Sequence, residues 1–341
     1  MLRLANYSHM KNNYINSRQS NFELLRLISM FYIILYHLLW FFVIGSNNST
    51  IYKALCIPLH VGVLCFVLIS GYFHIRPSWT GLYKLLFPLF LYYTPLTIYG
   101  IFVYDTPIKE LLFLSYSPYW FIRVYLFLFL IAPVLNSFME NQKQRKYLLI
   151  VLAFISIYMG MMNEPTLHNG KNVVYFSFLY VLGDSIKKNE ACFSKFKTSM
   201  LVCCYLFLNT LLVILYCKYF NTVIGTAIWK LSYIYCSPIL IINAILLFLI
   251  LSRMSFRSSW INYLSASVFS MYIIHHQYVI LYKIIGPTID YFKSQPLNSC
   301  EFILVLSLIT IVIMGGCVLI DLIFNTFKRK MTLLLPSEKF I

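Results

Sequence analysis

Residues 22–42 read FELLRLISMFYIILYHLLWFF. Only Glu23, Arg26, Ser29 and His37 interrupt an otherwise apolar run. A helix of that length rises about 30 Å, the thickness of a bilayer's hydrocarbon core. Its apolar residues lie all round the helix and not along one stripe, so the segment reads as a membrane span. Nine further apolar stretches follow, at about 54–74, 82–103, 119–138, 147–162, 173–186, 199–217, 233–251, 263–285 and 299–324, the first running 23–44. The connections are too short to hold a soluble domain, and no repeat is visible. The expected fold is therefore an all-α polytopic transmembrane bundle of about ten spans. A cytoplasmic segment (1–21) precedes the membrane domain (22–325), and a cytoplasmic tail (326–341) follows it.

The composition agrees. Over 341 residues, 60% are hydrophobic, 18% aromatic and only 11% charged, with a mean hydropathy of +0.75. That is too little polar surface for a soluble globule and too much apolar surface for a disordered chain. Some twenty mostly polar residues precede the first apolar run and no small-residue cleavage site follows it, so the first span is expected to stay in the mature protein. The nine cysteines form no C-x-x-C pair, and most, such as Cys65, Cys203, Cys204 and Cys317, fall in apolar runs as small hydrophobes.

Lys and Arg number 27 against 11 acidic residues. With a cytoplasmic N-terminus and one crossing per stretch, nineteen of them fall inside and seven outside, leaving Arg123 within a span. This asymmetry fits ten crossings with both termini cytoplasmic, and an odd count scrambles it. No basic run is interleaved with aromatics as a base-stacking platform is, so no nucleic-acid partner is expected.

Ionisable side chains within lipid cost several kcal/mol unless they face a wet or paired interior, which makes them functional candidates. Arg26 and His37 are eleven residues apart, three helical turns plus about 20°, so they share one face about 16 Å apart. Glu23 is about 21 Å from His37, too far to orient it, and any orienting group must come from another helix. In the second span, Ser70 and Gly71 allow close helix approach and leave backbone N–H groups available near the inner surface. Arg76 and Lys84 follow on the cytoplasmic side, where with Arg26 they would form a cationic site for a phosphate-bearing ligand. PYWFIRVYLF opens the fourth span with Trp120 and Arg123 near the outer surface. SMYIIHHQYVI places His275 and His276 at mid-membrane; adjacent residues point about 100° apart, so only one can line a given pocket. Neither H-x-x-x-H nor H-E-x-x-H occurs, and no carboxylate lies near His37 or His275 in sequence, so no metal site is expected.

Glu23, Arg26 and His37, then a Ser-Gly-Tyr span end, a Tyr-Trp-Phe-x-Arg opening and a late Ser/Met-Tyr-x-x-His stretch, resemble the acyltransferase-3 family. These are multi-span bacterial membrane O-acyltransferases that modify surface and exported polysaccharides. The likeness runs from about residue 18 to 325, and its clearest piece is the basic residue, ten intervening residues and His, matched by Arg26 and His37. It implies an acyl donor, usually acetyl-CoA, bound from the cytoplasm as a substrate, with no tightly bound cofactor. It also implies transfer to a hydroxyl of a polysaccharide or its lipid-linked precursor, with His37 as the catalytic histidine. Many members carry paired arginines after the Ser-Gly-Tyr region, where this chain has Arg76 and Lys84.

Such a reaction needs a base for the hydroxyl proton, a donor for the oxyanion and an aligned dry site. Neutral His37 suits the first role, and attack of its imidazole on the thioester is a second open route. Arg26, Arg76 and Lys84 are expected on the CoA phosphates, with Arg123 or His275 on the oxyanion or acceptor. The competing class is a polysaccharide or lipid-linked-sugar transporter or flippase. Ion-coupled transport usually places carboxylates near mid-membrane, whereas Asp184 and Asp321 are expected near the cytoplasmic ends. A polysaccharide polymerase is expected to need a sizeable outer loop, and this chain has none.

Overall fold

The computed structural model describes residues 18–43, 49–111, 119–162, 165–293, 295 and 299–332. The expected terminal segments, 1–21 and 326–341, lie mostly outside these residues. Among the described residues the fold is all-helical. The first span is one unbroken helix, α1 (Ser20–Val43). α2 (Ser49–Cys56) passes through a 3₁₀ turn (Ile57–Leu59) that contains Pro58, and continues as α3 (Val61–Phe73). α4 (Trp79–Pro88) and α5 (Thr94–Tyr104) are joined by a π-helical turn (Leu89–Tyr93). Then come α6 (Trp120–Glu140), α7 (Gln142–Ala153), α8 (Val173–Lys188), α9 (Thr198–Lys218), α10 (Val223–Tyr233) and α11 (Pro238–Ser252). α12 (Ser259–Ser265), α13 (Val268–His275), α14 (Gly286–Lys293) and α15 (Ser299–Thr332) complete the bundle.

Among the described residues six helices are long and apolar enough to cross a membrane: Ser20–Val43, Thr50–Phe73, Trp79–Tyr104, Trp120–Glu140, Thr198–Lys218 and Glu301–Phe324. α10 and α11, bent by 45°, make a seventh if they form one span. The sequence led us to expect ten. The other three stretches are helical but differ from full spans for physical reasons. α8 has 16 residues, about 24 Å, short of the hydrocarbon core. α7 opens with Gln-Lys-Gln-Arg-Lys and gives way to a π-helical turn at Phe154–Met159. The 263–285 stretch breaks after α13 and resumes as a π-helical turn at Val279–Ile285.

The α2–α3 span is the centre of the bundle. Of its most apolar window 78% is buried, against 22% for α9 and for α15. α8 is seated directly on it, because both helices carry glycine at the crossing. A Cβ built on Gly71 falls 2.0 Å from the Tyr180 carbonyl oxygen, and one on Gly183 falls 2.3 Å from that of Leu68. The backbones touch where any side chain would separate them. The apolar core divides in two: one part gathers Leu64, Leu68, Phe176, Tyr180 and Phe248, the other Ile34, Leu38, Tyr92, Met271 and Phe302. α1 belongs to both, through Leu25 and Ile33 on one side and Ile34 and Leu38 on the other.

Polar contacts fasten one end of the bundle. Asn21 donates to the Ser252 carbonyl at 2.8 Å, Ser258 N–H to Ser20 Oγ at 2.9 Å, and Lys188 to the Met139 carbonyl at 2.7 Å. The fully buried Asp184 accepts from His74 at 2.7 Å and has Lys188 Nζ at 3.1 Å and Arg145 Nε at 3.9 Å. Arg26 sits at this same basic end.

Candidate active site

Because α1 is unbroken, Arg26 and His37 keep the expected spacing of about 16 Å on one face. His37 is half-buried and is held from another helix. Its Nδ1 stands 3.1 Å from His275 Nε2, and His275 Nδ1 stands 2.7 Å from the carbonyl oxygen of Met271, one turn back on α13. A carbonyl only accepts, so this network assigns the His275 proton to Nδ1 and makes its Nε2 an acceptor. His37 then donates from Nδ1, and its Nε2 carries the lone pair. Among the described residues that Nε2 has no hydrogen-bond partner.

His37 lines a cavity of ≈ 40 Å³ together with Tyr36, His60, Trp120, Tyr235 and His276. Phe121 and Tyr272 complete its aromatic wall. The His276 ring meets His37 edge-on, centroids 4.5 Å apart, and its Nδ1 is buried with no partner among the described residues. Of the adjacent histidines, His276 thus faces the cavity while His275 backs His37. Both His275 nitrogens are engaged here, by His37 and by the Met271 carbonyl, so the oxyanion or acceptor role expected from sequence would require one of these bonds to open.

Trp120 starts α6 and lies beneath Lys171, whose Nζ is 5.4 Å from the indole centroid and 6.0 Å from the Tyr235 ring. Desolvation there lowers the amine below the ordinary lysine range. Arg123, half-buried one turn further along α6, acts electrostatically on Tyr272 without lining the cavity.

At the basic end, Glu23 is buried and accepts from Arg26 at 2.5 Å and from Arg18 at 3.4 Å. Ser70 donates to the Phe66 carbonyl at 2.9 Å and lies 3.1 Å from the Tyr125 hydroxyl, which is within electrostatic reach of Arg26. The sequence reading had the amides around Ser70 and Gly71 available to a ligand; because α3 continues to Phe73, they belong to the helix instead. Tyr125 stacks on Phe121 at 5.6 Å and 21°. The stacked rings of Tyr125 and Phe121 therefore fill the space that leads from the neighbourhood of Arg26 to the cavity.

Arg76 and Lys84 are exposed and have no hydrogen bond or ion pair among the described residues; Arg26 is paired with Glu23 instead. The turn bearing Arg76 is fixed. The Ile75 N–H donates to Tyr180 Oη at 2.8 Å, its carbonyl accepts from Asn136 Nδ2 at 2.9 Å, and Tyr180 donates to Asn136 Oδ1 at 2.7 Å. Among the described residues no group of three His, Cys, Asp or Glu is arranged to hold a metal ion.

The family model described as "acyltransferase domain" matches residues 19–322. The chain belongs to the acyltransferase-3 family. The span agrees with the resemblance read from the sequence over 18–325. No curated protein and no solved structure matches the chain. Within this acyltransferase, the sequence reading passed over His60, Lys171 and Tyr125. Only His60 carried a readable signal, an imidazole inside the apolar run IPLHVGV; Tyr125 and Lys171 gain meaning solely from what they touch.

Proposed function

We propose that this membrane acyltransferase moves an acyl group, acetyl in the first instance, from cytoplasmic acyl-CoA to a hydroxyl of a cell-surface or exported polysaccharide or its lipid-linked precursor. The observation that carries the reading is the His37 imidazole in the wall of a cavity, its Nδ1 held by His275, which leaves Nε2 to act as the base. Nε2 takes the hydroxyl proton as the oxygen attacks the thioester carbonyl. The C–O bond forms, the C–S bond breaks, and the imidazolium returns the proton to the departing CoA thiolate. Arg26, Arg76 and Lys84 at the basic end suit the CoA phosphates. The slender acyl-bearing arm then reaches His37 by displacing Phe121 and Tyr125 along the line they now fill. Trp120 and Tyr235 offer the acceptor sugar a stacking wall. Among the described residues the cavity lining contains no carboxylate, which weighs against ion-coupled transport.

In the bacterial cytoplasmic membrane, ten crossings with both termini inside put the basic end at the cytosol. α7, α8 and the broken α12–α13 stretch then serve as short crossings shielded by their neighbours. The test compares surface polysaccharide from a deletion strain, its parent and a strain carrying His37→Ala, by NMR. One ester signal is expected in the parent alone, with the variant still inserted in the membrane. Full esterification by the variant removes His37 from the chemistry.

A further inference from the structure

His60 ends the 3₁₀ turn and begins α3, and only 4% of it is exposed. Its Nδ1 is 3.1 Å from the Cys56 carbonyl oxygen, so the proton is on Nδ1 and Nε2 is an acceptor. That Nε2 is buried with no hydrogen-bond partner among the described residues. Buried polar atoms are nearly always paired, and an exception in a folded protein calls for a ligand or a role. Tyr36 and Tyr233 hold the ring, with centroids at 4.5 and 4.9 Å, and the imidazole lines the same cavity as His37.

Of the three imidazoles that border this space, His37 and His60 each present an unpaired Nε2, while the unpaired nitrogen of His276 is its Nδ1. The two Nε2 atoms are both acceptors, and neither is satisfied by the other. The space, at ≈ 40 Å³, is far below the roughly 150 Å³ of a cavity that takes a benzene ring. A sugar ring does not enter it, but hydroxyl groups projecting from a ring held at the Trp120–Tyr235 wall do. Resting on the transferase reading above, we propose that His60 accepts a hydrogen bond from a second hydroxyl of the acceptor sugar, so that the cavity reads a pair of neighbouring hydroxyls. His37 activates one of them, and His60 fixes which one it is.

The test expresses wild type, His60→Phe, His60→Gln and His37→Ala in a strain lacking its own copy. Ester amount and position on the surface polysaccharide are read by NMR, and acetyl-CoA binding is measured on each purified full-length protein. His60→Phe keeps a ring without an acceptor. It should lower the ester at the wild-type hydroxyl about tenfold, or move it to a neighbouring hydroxyl, with acetyl-CoA binding unchanged. His60→Gln, which restores an acceptor oxygen, should recover most of the loss. Equal esterification of the same hydroxyl by His60→Phe overturns the proposal. So does a loss that His60→Gln fails to recover, or one accompanied by lost acetyl-CoA binding, because either marks His60 as packing alone. A wild-type protein that adds no ester defeats the transferase reading instead.

Discussion

His275 Nε2 lies 3.1 Å from His37 Nδ1 and is itself fixed as an acceptor by the 2.7 Å contact of His275 Nδ1 with the Met271 carbonyl. The backbone of α13 thereby sets the tautomer of a side chain on α1. In the better-known serine triads a carboxylate does this; here a neutral imidazole and a carbonyl do, without placing a charge in the membrane interior. In the proposed reaction His275 is a positioning residue. Replacing it with Phe keeps the packing and removes the acceptor, which frees His37 to protonate on Nε2. Transfer should slow on the order of 10²-fold, with the KM for acetyl-CoA unchanged. Steady-state kinetics across pH checks this: a shift in the acidic limb of the profile, where His37 is protonated, marks a disturbed base, and an unchanged profile with lower protein yield marks a packing defect.

Arg26 is bound to a buried carboxylate, so its substitution has two consequences that can be separated. Arg26→Ala should raise the KM for acetyl-CoA by roughly tenfold or more, the worth of a charge-assisted contact to phosphate. It also leaves Glu23, 5% exposed at its side chain, with Arg18 at 3.4 Å as its remaining ion-pair partner. A buried charge stripped of its partner is strongly destabilising. Adding Glu23→Gln to Arg26→Ala should therefore recover thermal stability in detergent while the KM stays high. If stability and KM recover together, Arg26 acts through the fold and not through the donor.

The all-helical membrane fold was legible because long apolar runs have few other solutions in a chain so poor in charge. Arg26 and His37 were legible because a single helix fixes their geometry without tertiary contacts. The count of crossings was not. Run length alone does not distinguish a full-length span from a shorter helix such as α8, most of which is buried by its neighbours. The break at His276 and Gln277 is equally silent, since SMYIIHHQYVI contains neither proline nor glycine. His60 went unread because one histidine in an apolar run has no pattern; its orphaned Nε2 exists only once the 3₁₀ turn folds its Nδ1 onto Cys56. The division of labour between His275 and His276 likewise depends on where α1 passes α13.

The path from Arg26 to the cavity makes its own prediction. Phe121 borders the cavity, and Tyr125, stacked on it, is anchored to Ser70. If the acyl-bearing arm displaces these rings, holding them less firmly should ease its entry. Tyr125→Phe removes the hydroxyl that meets Ser70 and should lower the KM for acetyl-CoA by a few fold, on the order of one hydrogen bond. Phe121→Trp, which adds bulk on the same line, should raise it. Kinetics with acetyl-CoA in proteoliposomes checks both variants. Opposite signs support this route, and a KM indifferent to both substitutions places the donor elsewhere.

The glycines make a comparison within one molecule. A methyl group at Gly71 would come within 2.0 Å of Tyr180 O and 2.7 Å of the Tyr180 carbonyl carbon, all backbone, and Gly183 meets Leu68 in the same way. Neither helix can yield by turning a side chain, so α3 and α8 must part. Overpacking of this kind costs about 1–3 kcal/mol or more. Gly71→Ala and Gly183→Ala should each lower the melting temperature and the amount of protein in the membrane. On α15, Gly315 and Gly316 have nothing within 4 Å of an added Cβ, and alanine there gains up to about 1 kcal/mol of helix propensity. Gly315→Ala should be neutral or stabilising in the same melting assay. Because the α3–α8 contact also sets the turn that carries Arg76, through Tyr180 and Ile75, the Gly71 variant should lose acetyl-CoA binding in proportion to its destabilisation, while the Gly315 variant keeps it. A Gly71→Ala protein that melts like the wild type would show that the two helices are not in backbone contact in the membrane.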